Sequence, residues 1–192
     1  MTGWDEKQTL QRYLHVGRDA LRWKMEGLSE LDARRPLTPT GLSLLGLVHH
    51  VAFCAAGYFG DTFGRPFDPM PDVEADPDAD FVVPAEQSLP DALAWVDRAW
   101  AHADATIDAL ALDAPGRVPW WHPDRADVTL HGILVHMAAE THRHAGHADI
   151  LREQVDGVAG LRPDNTNLPD DMDWPEHVAR VQRVAEQAAR LH

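Results

Sequence analysis

Four stretches of the 192-residue chain repeat apolar side chains at intervals of mostly three, four or seven, the spacing of one helix face. The first runs from Asp5 to about Leu31 through Leu10, Tyr13, Leu14, Leu21, Met25 and Leu28, with Pro36 and Pro39 ending it. The second, capped by Ser43 or Thr40, reaches about Phe63 and is apolar on nearly every side, which predicts the most buried helix of the fold. His49 and His50 lie in its middle and cannot both face outward. Ser88 caps a third helix to about Leu112, striped by Leu89, Leu93, Val96, Trp100, Ala103, Ile107 and Leu110. Thr129 caps a fourth that ends near Val155 and Gly157.

The connections differ in kind. Gly64 to Pro84 holds five prolines and six acids in 21 residues, which predicts a long solvated connection without regular structure. Such a length is uncommon in an up-and-down bundle and suits one whose link must travel the length of the domain. The D-x-D-x-D-G spacing of a calcium loop is missing from it. Ala114 to Val128 reads as a turn-rich loop containing Pro-Trp-Trp-His-Pro, in which Trp120 and Trp121 seal a core edge or wall a pocket. Leu161 to Asp173 reads as loop, and a short helix follows from about Trp174 to Leu191, capped by Asp173. No strand-like alternation and no internal repeat appear, so the expected fold is all-α and a single domain, with the bundle over about residues 5–156.

Composition narrows the function classes. Seventeen basic against 31 acidic residues give a formal charge of −14, and no local basic cluster offsets it, which argues against nucleic-acid binding. No apolar run approaches the ~18 residues of a membrane span, and the N-terminus lacks the basic-then-apolar pattern of a secretory signal. Cys54, the one cysteine, cannot form an internal disulfide, which fits a reducing cytoplasm.

The chemistry concentrates in the fourth helix. Five of the twelve histidines lie between Thr129 and Glu153, and at 3.6 residues per turn His136, Glu140, His144 and His147 share one face. Ile133, Met137, Ala148 and Leu151 flank this polar stripe, so it faces inward, where a carboxylate among imidazoles is costly unless compensated. One compensation is a divalent metal held by Glu140 and His144, with His50 of the second helix as third ligand and open positions left for water or substrate. The other is a hydrogen-bonded Glu140–His144 pair without metal, and periodicity leaves the two open. His136 reads as a supporting group or a fourth ligand, and His147 as a supporting group. Cys54, one turn from His50, is a thiolate ligand or simply core. His49 reads as a packing or surface residue, His142 as solvated, and Asp149 with Arg152 as a helix-surface pair.

Two segments resemble the metal motifs of the DinB-like superfamily: L-S-L-L-G-L-V-H-H-V-A followed by A-A-G-Y-F-G, and H-G-I-L-V-H-M-A-A-E-T-H-R-H-A-G-H-A-D-I-L-R-E. The second is most similar to the branch that includes mycothiol-dependent maleylpyruvate isomerase, with Glu140 where many other members have histidine. The resemblance implies a DinB-like four-helix bundle with up-down-down-up connectivity and a long crossover between its second and third helices. It also implies His50, Glu140 and His144 as metal ligands, zinc or alternatively nickel as the ion, and a homodimer. His136, His147, Trp120 and Trp121 would then shape the surroundings and the pocket. The activity implied is a transferase or isomerase using a low-molecular-weight thiol such as mycothiol or bacillithiol on a small-molecule substrate. Two readings compete with it: a non-enzymatic structural or stress-related dimer in which metal joins two helices, and a metal-dependent hydrolase.

Overall fold

The computed structural model describes residues 3–191. Helix α1 (Glu6–Trp23) starts in a reciprocal cap: Asp5 accepts from the Gln8 amide at 2.8 Å, and the Gln8 side chain accepts from the Asp5 amide at 3.2 Å. The expected continuation to Leu31 does not occur. The chain turns through Gly27 at φ +73°, and Ser29 caps a separate short helix α2 (Glu30–Arg34), leaving Leu31 exposed. Helix α3 (Leu44–Phe59) is capped by Ser43 and followed by a single 3₁₀ turn, Asp61–Phe63. Helix α4 (Leu89–Ala109) is capped by Ser88, and α5 (Leu130–Asp156) runs from the Thr129 cap to Gly157 at φ +78°. Helix α6 (Trp174–Leu191) opens on the Asp173 carboxylate, which accepts from the Glu176 amide, and none of its residues is buried.

The fold is all-α apart from one correction. Within the presumed loop after α4, β1 (Pro115–Arg117) pairs antiparallel with β2 (Asp127–Thr129). Three-residue strands are too short to show alternation, so the pattern carried no signal.

Contacts between helices fix their directions. Lys7 donates to the carbonyl of Asp108, Arg18 pairs with Asp104 and Arg22 with Asp97, so α1 and α4 are antiparallel. His142 bonds the Tyr13 carbonyl and Lys24 pairs with Asp149, so α1 and α5 run parallel. His50 meets His144 while Tyr58 meets His136, so α3 is antiparallel to α5. The connectivity is therefore up-down-down-up, and α3 and α4 point the same way. Only a crossover as long as the bundle can join two parallel neighbours, and residues 64–88 supply it.

Leu14 and Leu21 of α1, Leu44, Leu45, Leu47 and Phe59 of α3, Ile107 of α4, and Leu130, Ile133, Leu134 and Met137 of α5 fill the core. Two buried cations tie the bottom of α1 to α5. Lys24 is fully buried, donates to the Gly160 carbonyl at 2.7 Å and lies 3.1 Å from Asp149. Arg152 donates to the carbonyls of Lys24 and Glu26 and grips Asp156 with two nitrogens. Arg152 therefore does not pair with Asp149: the carboxylate one turn further on lies on its own face, and Asp149 turns to Lys24.

Candidate metal centre

The site lies between α3 and α5. One ligand-type atom from each of His50, Glu140 and His144 lies within 4.8 Å of the others, and all three side chains are half-buried. The i, i+4 spacing on α5 brings His144 Nε2 to 2.8 Å from Glu140 Oε1. His50 meets the His144 ring edge-on, with centroids 5.3 Å apart. Ligands sharing one zinc ion at about 2.0–2.2 Å each are roughly 3–4 Å apart, and the atoms of this set, all within 4.8 Å of one another, lie near that spacing.

The His50 ring is turned as ligation requires. Nδ1 of His50 donates to the Asp80 carboxylate at 2.6 Å, which leaves Nε2 with its lone pair toward α5. Phe81 stacks on the same ring at 4.1 Å and 14°. On α5, Nδ1 of His144 faces Nδ1 of His147 at 3.3 Å while its Nε2 donates to Glu140; with His147 accepting from Nδ1, Nε2 would offer its lone pair to an ion in place of that proton. Burial holds His144 below the usual histidine range despite the opposing pull of Glu140, which favours the neutral ring that metals bind. Two imidazoles, each oriented by a neighbour, and one carboxylate thus fit a divalent ion.

Asp80 corrects the expectation of a wholly solvated crossover. Its side chain is only 13% exposed, its carboxylate receives His50, and its carbonyl accepts from His49 Nδ1 at 2.8 Å. His49 is buried and stacks on Trp95 at 4.4 Å, so it is a packing residue. The backbone of the crossover sits hard on α3: a Cβ on Gly46 would lie 2.5 Å from the Phe81 carbonyl oxygen. Nothing in the spacing of the acids singles out Asp80. The signal that could have found it is the apolar run Phe81–Val82–Val83 beside it, where the acidic segment returns to the core.

Of the remaining expected groups, His136 lies on the ligand stripe two turns before His144. It packs against Tyr58 and Trp121, with centroids 4.7 Å and 5.5 Å away. Trp121 donates from Nε1 to the Tyr58 hydroxyl at 3.1 Å. Trp120 is half exposed and covers α3 at Gly57, where a Cβ would come within 3.0 Å of its ring. The two tryptophans thus divide the alternatives: Trp121 seals the core edge, and Trp120 walls a cavity of about 580 Å³. Cys54 lines this cavity, and its Sγ is 3.6 Å from His50 Nε2, so the cavity adjoins the three-residue cluster. Burial, with the charges of Asp80 and Glu140, pushes the Cys54 thiol up to about 12. His142 is exposed, as its position on α5 predicts.

A family model described as Mycothiol-S-transferase matches residues 9–157, which span α1 to the end of α5. The chain belongs to this family. The matched mycothiol-S-transferase region contains every residue of the site above and stops before α6. A crystal structure of a conserved protein from Enterococcus faecalis is similar at a TM-score of 0.59 and 17% identity. It covers 81% of this chain and 100% of that one, and at that identity the likeness shows the fold alone. No curated protein matches. Among the described residues no helix is long and apolar enough to cross a membrane.

Proposed function

We propose that the chain is a metal-dependent S-transferase that joins a low-molecular-weight thiol of the mycothiol type to a small electrophile. His50, Glu140 and His144 would hold a divalent ion, zinc by the two-imidazole, one-carboxylate donor set. The observation that carries this reading is the convergence of those three donors beside a cavity of about 580 Å³, within a chain of this family.

When bound, the ion would lower the pKa of a thiol and so supply a thiolate at neutral pH. The protein's own groups do the positioning. Asp80 and Phe81 hold the His50 ring, and His147 orients His144. Trp120 and Tyr58 wall the space next to the cluster, where an electrophile is held against the sulfur and shielded from water. In the transfer the thiol loses its proton to solvent and a carbon–sulfur bond forms. The leaving group departs with the electron pair of the bond it breaks.

Elemental analysis of purified protein tests the first half, with about one divalent ion per chain expected. A cobalt-substituted sample tests the second: its visible spectrum should change on adding mycothiol. A chain without metal refutes the reading, and a metal-loaded chain whose spectrum ignores every low-molecular-weight thiol refutes the transferase part.

A further inference from the structure

The cavity beside the three-residue cluster has a definite chemical bias. Its walls are Phe53, Tyr58, Met70 and Trp120, three aromatic faces and a thioether, which receive a flat apolar ring by stacking and dispersion. Its charged lining residues are Asp61 and Glu74, both exposed, and no lysine or arginine lines it among the described residues. A bound divalent ion does not reverse this. Its two positive charges are matched by the carboxylates of Glu140 and Asp80, one on either side of the cluster. What remains to set the field in the cavity is Asp61 and Glu74, in a protein of formal charge −14.

We propose that the electrophile-binding cavity selects aromatic compounds that are uncharged or cationic and rejects carboxylates. This rests on the transferase reading for the word electrophile, but the selectivity is a property of the cavity itself. A ring lies against the wall that Trp120 and Tyr58 form together, where the two side chains meet edge to face at 5.1 Å, near the cluster. A positive or neutral polar tail lies toward Asp61 and Glu74, where an ammonium group gains from the carboxylates and from the aromatic faces together. A carboxylate on the same ring meets two like charges and no cation.

Three probes that share one ring system test this: 2-naphthylmethylammonium, 2-naphthamide and 2-naphthoate, titrated by calorimetry into zinc-loaded and metal-free protein. The ammonium and the amide should each bind about tenfold or more tightly than the carboxylate. The double variant Asp61→Asn/Glu74→Gln, both at exposed positions, should bring the three within about threefold. Trp120→Ala should weaken all three. Naphthoate binding as tightly as the ammonium, discrimination that survives the double variant, or the absence of binding by any probe overturns the proposal. Zinc content, measured on the same samples, keeps the two claims apart. Selectivity in a chain that takes up no metal leaves the cavity assignment standing and removes the transferase, and metal without selectivity does the reverse.

Discussion

Asp80, in the middle of the irregular crossover, holds its carboxylate 2.6 Å from Nδ1 of His50 at the centre of the most buried helix. A carboxylate behind a metal-binding histidine fixes the tautomer and the ring orientation and raises the basicity of the other nitrogen. Asp80→Ala should therefore weaken zinc binding by about 10–100-fold while leaving the helical circular dichroism unchanged. Competition with a chromophoric chelator measures it, and wild-type affinity in the variant would show that His50 does not need the carboxylate.

His144→Ala removes a group that touches Glu140, His147 and the edge of His50. Metal content should fall well below one ion per chain. Wild-type protein should gain roughly 2.7 kcal/mol of stability at a free zinc concentration a hundred times its dissociation constant, and the variant almost none. Thermal melts with zinc and with chelator compare the two directly.

Gly46 lies one turn before His50 and has no role in ligation, yet the Phe81 carbonyl occupies the place of its missing Cβ. Gly46→Ala should cost about 1–3 kcal/mol through overpacking, despite the better helix propensity of alanine. It should also lower zinc affinity, because Asp80 and Phe81 move together. Stability unchanged or improved in urea titrations would mean that the crossover adjusts without loss.

The α1–α4 contact predicts two different responses around Asp104. Its hydrogen bond raises the His15 pKa above 6.5, so the stability that His15 contributes is fully present below pH 6.5 and is lost as pH rises through the folded-state value. His15→Gln should flatten that alkaline decline, by only ~0.2–1 kcal/mol because the pair is partly exposed. For Asp104, burial works upward, but the bonds from His15 and Arg18 outweigh it and hold the carboxyl below its usual range. Its contribution is present above the ordinary aspartate pKa and disappears as pH falls through the folded-state value. Asp104→Ala should cost more, about 3–5 kcal/mol, because Arg18 is 3% exposed, its Nη1 loses Asp104, and its Nε and Nη2 already lack a partner among the described residues. Urea midpoints from pH 3 to 9 distinguish the two variants.

Residues whose signal is local could be read from the chain. Ser88 and Thr129 each begin a helix at the position expected, and Ser43 rather than Thr40 begins α3, because an N-cap needs only a hydroxyl and an amide three residues on. Glu140 and His144 are adjacent because four residues on a helix make one turn. The break at Trp23 was hidden by apolar residues that kept the helical period through a glycine turn, with Met25 buried although it no longer lies on the helix. Asp80 was hidden for the opposite reason. Its partners are 30 positions back, and its composition is that of a solvated loop.

His50 and His144 are 94 positions apart and stand on helices that run in opposite directions. An ion joining them would close a loop of about half the chain, a clasp present only in the folded state. Chelation would then loosen the fold far from the cluster. Amide exchange should quicken first along α3 and α5, the two helices the clasp pins, before it reaches the α1–α4 ties.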